Sequence, residues 1–280
     1  MKLLILGATG AFGTALETAC LKKRWDFTPL GHRDFEITDH ASLERAVKKH
    51  RPGAVVNAVA MVGINPCEEA PEKAWAVNTT AALNLARICQ ANDLLLVQPS
   101  THAVFDGTKM GPYSEEDIPY PTSIYSASKF SGECLAAVYC KKHYIIRFPT
   151  LFGPRRNQSP GFVDKVLGWL KEKEEIRIAD DKIDSPSYTL DLAEALLEMI
   201  QNEVPYGTYH LSNSGQTSYY DFVRKIVSLL GASVRVVAAK DKDFEALAHK
   251  PLKTALKSSK LPPLRNWQEA LAAYLASLPQ

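Results

Sequence analysis

LLILGATGAFGTAL, residues 3–16, runs four apolar residues into three glycines at positions 7, 10 and 13, and then into a helical pattern. A short continuous apolar run fits a strand buried on both faces. Glycine permits a sharp turn and brings backbone N–H groups close to a bound phosphate. The following helix adds the positive end of its dipole. The segment therefore reads as strand, phosphate-binding turn, helix, with Gly7, Thr9, Gly10, Ala11, Phe12 and Gly13 forming the turn. This context points to a dinucleotide cofactor.

Working outward, the same alternation continues. DFTPL (26–30), FEI (35–37), AVVNAVA (54–60), LLLVQ (94–98) and YIIRF (144–148) read as strands. Between them, 40–50, 71–92 and 123–143 read as helices, with Pro71 near the start of the long middle one. Strands alternating with helices imply crossover units on a parallel sheet. The expected fold class is α/β: a Rossmann-type doubly wound parallel sheet with a smaller mixed α/β C-terminal lobe. Residues 1–150 form the cofactor domain. Residues 151–280 form mostly a substrate-binding lobe, with some segments returning to the first domain. Helical patterns lie near 161–173, 189–201, 217–230 and 266–277, and short strands at IRI, YHL and VRVV. Trp169 and Trp267 sit on amphipathic patterns and read as core.

Composition narrows the class. A net charge of +2 argues against nucleic acid or an anionic membrane as partner. No run approaches a membrane span, and the N-terminus reads as a strand rather than a signal peptide. Five cysteines without a CxxC pair fit a reducing cytoplasm. The seven histidines lack metal-ligand spacing, so no metal is expected. The oligomeric state is not legible.

After the second strand comes LGHRD. His32 and Arg33 suit a 2′-phosphate and favour NADP, although Asp34 follows at once and leaves NAD open. The fourth strand runs into PSTHAVFDG, placing Ser100 and Thr101 at the sheet edge where ligands bind. Further on, Tyr125 and Lys129 are one helical turn apart in IYSASKF. Ketone reduction needs a polarised carbonyl and a proton as well as hydride. Thr101 can hold the carbonyl and Tyr125 can deliver the proton. Lys129 is expected to lower the phenol's pKa and to reach the nicotinamide ribose.

With these residues the chain resembles the extended short-chain dehydrogenase/reductases. FEITD, NAVAMVGINPCEEA, AVN, STHAVFDG, YSASKFSGE, DDKIDSPSYTLDLAEAL and GTYHLSNSGQTSYYDFV narrow the resemblance to dTDP-4-dehydrorhamnose reductase-like proteins. It implies an adenine contact near Glu36, cofactor contacts around Ala58 and Ala60, a role for Asn78 near the site, and a nucleotide-sugar substrate. The family pattern is Ser-Thr-Asp-Tyr where this chain has His102 and Ala103, and it often has a tryptophan near Thr150. The cofactor and proton-transfer residues match, while the substrate-facing wall differs. His102, Arg155 and Tyr188 are candidate substrate contacts. Two alternatives stay open: a sugar-nucleotide epimerase, and a cofactor-binding regulatory subunit resembling that of methionine adenosyltransferase.

Overall fold

The computed structural model describes residues 1–157 and 159–278. In chain order the elements begin β1 (Leu3–Leu6), α1 (Ala11–Lys23), β2 (Phe27–Leu30), α2 (His40–His50) and β3 (Ala54–Asn57). Then follow α3 (Ile64–Glu69), α4 (Pro71–Trp75), a π-helical turn (Ala76–Thr80), α5 (Ala81–Ala91), β4 (Leu95–Thr101), α6 (Ile124–Tyr139) and β5 (His143–Phe148). The later part comprises β6 (Leu151–Phe152), α7 (Phe162–Glu172), β7 (Glu175–Ala179), β8 (Ile183–Asp184), β9 (Ser187–Tyr188), α8 (Thr189–Gln201) and β10 (Gly207–His210). It ends with β11 (Asn213–Ser214), β12 (Thr217–Ser218), α9 (Tyr219–Leu230), β13 (Arg235–Ala239), β14 (Leu264–Asn266) and α10 (Trp267–Ala276).

Six parallel strands form one sheet in the order β10-β5-β4-β3-β1-β2. Alternate residues of each strand face opposite sides. Leu3 and Ile5 pack with Phe12, Leu16 and Ala19 of α1 and with Leu192, Leu196 and Ile200 of α8. Leu4 and Leu6 pack on the other side with Leu43 and Val47 of α2 and Leu85 and Ile88 of α5. Both faces are thus covered, which explains the unbroken apolar strands. The expected doubly wound sheet is the observed one. A separate core holds the second lobe together, built from Phe152, Val166, Ile176, Phe222, Trp267 and Tyr274. Trp267 is buried in it and Trp169 packs against it. The second lobe's strands form four two-stranded sheets.

Three expectations are corrected. FEI (35–37) forms no strand; it is an irregular segment in which Phe35 and Ile37 are buried and Glu36 is exposed. The third strand ends at Asn57, because Asn57 and Asn78 tie the chain beyond it into a loop. The long helix at 71–92 is interrupted by the π-turn at Ala76–Thr80. YHL belongs to β10 and joins the main sheet, and α8 packs on α1, so both return to the cofactor domain.

Candidate active site

The glycine turn follows β1, Ala58 and Ala60 follow β3, and Thr101 ends β4, all at the carboxyl ends of the parallel strands, where open α/β sheets bind ligands. At the end of β1, Gly7 adopts φ +81°, and a Cβ there would come within 2.8 Å of the Ala58 oxygen. A Cβ on Gly13 would lie 2.3 Å from the Gly7 oxygen, so only glycine allows α1 to start this close to β1. No side chain caps α1 at Gly10. Among the described residues, the N–H groups of its first turn thus have no side-chain partner, which is the donor set a pyrophosphate needs. A groove of about 320 Å³ opens over this turn. Gly7, Thr9 and Gly10 form its floor, Ala58, Val59 and Ala60 one wall, and His32, Phe35 and Ile37 the other. A dinucleotide fits this donor set and shape.

Phe12 gives only its backbone to the turn, since its ring packs 4.7 Å from Phe148 in the core. His32 lines the groove, and Arg33 is exposed beside it. Asp34 accepts a 2.7 Å hydrogen bond from the Gly31 N–H, so its carboxylate closes the local turn. Glu36 does not line the groove. Its carboxylate accepts from the Thr38 N–H and hydroxyl, which holds its pKa below the usual carboxylate value. The walls at this end are Phe35 and Ile37, which the sequence reading passed over. Their flanking position in FEI, two residues apart around an exposed charge, was the available signal.

Asn78 is buried in the π-turn and fully engaged by protein. Its oxygen accepts from the Met61 N–H, and its amide nitrogen donates to the Met61 oxygen and the Ser128 hydroxyl. Thr79 adds a bond to the Ser128 carbonyl. Asn78 therefore fixes the wall at 58–61 against α6, and it does so from behind the groove. π-turns recur at functional sites for this kind of re-aiming.

α6 carries Tyr125 and Lys129. Its start is held by a capping box between Ser123 and Ser126, and by Glu68 accepting from the Ile124 N–H. Tyr125, in the first turn of α6, lies near the Thr101 side chain. Thr101 Oγ1 accepts from the Ala103 N–H at 3.1 Å. Lys129 is 4 % exposed and donates to the Pro99 carbonyl at 2.7 Å. Burial lowers its pKa to about 8, against an opposing pull from Glu133. The phenol's pKa is raised by burial, with the nearby Thr101 side chain opposing the rise. Lys129 does not figure among the causes of that shift; its ammonium is turned to the Pro99 carbonyl. Behind it, Glu133 pairs bidentately with buried Arg147. Ser100 Oγ is buried without a partner among the described residues.

The three proposed substrate contacts have different surroundings. His102 follows Thr101 directly, with Nδ1 3.0 Å from Asp184 and 2.9 Å from the Thr254 hydroxyl. Arg155 instead pairs with Asp164 and donates to the Ser159 carbonyl, pinning the start of α7. Its neighbour Arg156 donates to the Ala8 carbonyl and pairs with Glu17, while the N–H groups of Arg156 and Asn157 bond the Thr9 carbonyl. This strap lays the second lobe's first loop over the glycine turn. Tyr188 is a core residue, stacked on Phe152.

The sequence model described as "RmlD substrate binding domain" matches residues 1–279. The chain belongs to that family. It is 32% identical over 286 residues to the dTDP-4-dehydrorhamnose reductase of Streptomyces griseus, covering 98% of this chain and 93% of the relative. It is 31% identical over 279 residues to the spore coat polysaccharide biosynthesis protein SpsK of Bacillus subtilis, covering 98% and 96%. Among solved structures, the NADP complex of the Bacillus anthracis dTDP-4-dehydrorhamnose reductase superimposes with a TM-score of 0.93 at 29% identity, covering 99% of each chain. Membership accounts for the doubly wound sheet. Among the described residues no helix is long and apolar enough to cross a membrane, and no cluster of acidic, histidine or cysteine side chains could hold a metal.

Proposed function

We propose that this protein is an NADPH-dependent reductase of the 4-keto group of a nucleotide-activated deoxysugar, acting in the cytoplasm. The observation that carries the reading is the approach of the Thr101 side chain to the buried Tyr125 phenol, beside a groove lined by the glycine turn. Thr101 and Tyr125 together offer two hydroxyl donors to one carbonyl oxygen. NADPH supplies the hydride when bound. Tyr125 gives its proton to the oxygen as negative charge develops there, which is where a phenol is strongest as a donor. Lys129, charged below about pH 8, donates to the Pro99 carbonyl and ties α6 to the strand end that carries Thr101. His32 and Arg33 favour the 2′-phosphate of NADP, and Asp34 is held in its own turn rather than offered to a ribose hydroxyl. Five free cysteines suit a reducing compartment.

The test is Tyr125→Phe. Consumption of NADPH with dTDP-4-keto-6-deoxyglucose should fall by at least about 100-fold, the usual worth of a positioned proton donor, while NADPH affinity stays unchanged. Unchanged turnover refutes the role of Tyr125. Tight NADPH binding by the wild type with no turnover on any keto-sugar nucleotide refutes the enzyme and favours the regulatory reading.

A further inference from the structure

We propose that His102 and Asp184 form a second acid–base centre at this site, one that exchanges the proton on a carbon next to the ketone. The proposal rests on Thr101 as the carbonyl's anchor, and it goes beyond reduction because reduction already has its proton source in Tyr125.

The pair is built like an oriented base. His102 follows Thr101 in the chain and begins a short 3-10 turn whose first hydrogen bond is to the Thr101 hydroxyl. That places the imidazole one residue from the group that holds the oxygen. Its Nδ1 is 3.0 Å from Asp184 Oδ1. The carboxylate is 2% exposed and accepts two further backbone bonds, from Thr150 at 2.9 Å and Ser185 at 2.8 Å. Those donors and His102 outweigh burial and keep the Asp184 pKa below its ordinary value, so it stays ionised. An ionised acceptor draws the ring proton to Nδ1 and leaves the lone pair on Nε2. Nε2 has no hydrogen bond among the described residues, although the side chain is only 15% exposed. The Thr254 hydroxyl oxygen, 2.9 Å from the same Nδ1, is a second acceptor for that ring N–H. A buried carboxylate behind an imidazole with a free second nitrogen is the arrangement that fixes the tautomer and leaves that nitrogen open as a proton acceptor.

The step balances without an oxidant or a reductant. Nε2 takes the proton from the carbon adjacent to the ketone. The C–H electron pair becomes the carbon–carbon double bond of an enolate, and the carbonyl pair moves onto oxygen, where the Thr101 and Tyr125 hydroxyls donate. The imidazolium exchanges its proton with water. Return of a proton to carbon restores the ketone, and the Asp184 carboxylate offsets the transient positive charge.

The experiment uses the whole protein loaded with oxidised NADP, so that no hydride is available, and dTDP-4-keto-6-deoxyglucose in deuterated buffer. Deuterium in the recovered sugar is followed by mass spectrometry. Exchange should exceed the protein-free rate by at least about 100-fold, and His102→Gln should remove most of that excess. NADPH binding by the variant, measured by fluorescence titration, checks that the cofactor domain is intact. Asp184→Asn should lower exchange in the same direction. Exchange at the protein-free rate overturns the proposal whether or not the sugar is reduced. So does exchange that survives in His102→Gln. Exchange without any NADPH-dependent reduction of the same sugar sustains this proposal and sinks the reductase assignment alone.

Discussion

Replacing Lys129 with methionine should stabilise the fold at neutral pH while abolishing turnover. The ammonium is buried, and its pKa falls from 10.5 to about 8. At pH 7 this depression corresponds to about 3 kcal/mol of charge burial that the unfolded chain does not bear. Methionine loses the bond to the Pro99 carbonyl, at about 1–3 kcal/mol for an orphaned acceptor, so the net gain at pH 7 is small. The pH dependence is cleaner, because the lost hydrogen bond cancels from it. Between pH 8 and 10.5 the unfolded chain binds more protons than the folded one, so wild-type stability rises with pH relative to the variant. From pH 7 to pH 9.5 the difference should shift by about 2 kcal/mol in favour of wild type. Urea unfolding of both proteins at the two pH values measures it. A difference that does not change with pH, or changes in the opposite sense, would refute the picture of a charged lysine held in a dry site.

Other outcomes follow from the same geometry. Glu133→Gln should lower stability by about 3–5 kcal/mol in thermal or urea unfolding, because Arg147 would remain buried without its partner. Gly13→Ala should weaken NADPH binding at least about tenfold in a titration, since its Cβ would lie 2.3 Å from the Gly7 oxygen and force the turn open. His210 is almost wholly buried, and burial lowers its pKa to about 4 against an opposing pull from Glu115. The unfolded chain therefore takes up this proton first as pH falls. Stability should decline from about pH 6.5, reaching a loss of about 3 kcal/mol near pH 4, and His210→Gln should flatten that slope in acid unfolding curves.

The sheet was legible because the apolar runs of β1, β3 and the first part of β4 are buried on both faces; α2 and α8 fall on their expected residues. The glycine turn, Thr101, Tyr125 and Lys129 were legible because their spacing encodes local geometry. What escaped was nonlocal. Nothing in AVN announces that Asn78 will be enclosed by Met61 and Ser128, since its partners come from a loop 17 residues earlier and a helix 50 residues later. Arg155 and Tyr188 carry the right chemistry for a nucleotide sugar. Their neighbours, Asp164 for one and Phe152 for the other, claim them for structure. The partnership of His102 with Asp184 spans 82 residues and has no periodicity to betray it.

The placement of β10 has a consequence for anyone who would shuffle specificity between relatives. The strand that completes the cofactor sheet is supplied by residues 207–210, and α8 before it covers α1. A hybrid cut once at residue 150 would give the donor half an unfinished edge at β5 and strip the other half of its landing platform. A viable chimera needs at least two junctions, swapping 151–188 and 211 onward as separate inserts, with Arg156 and Asn157 matched to the glycine turn they grip.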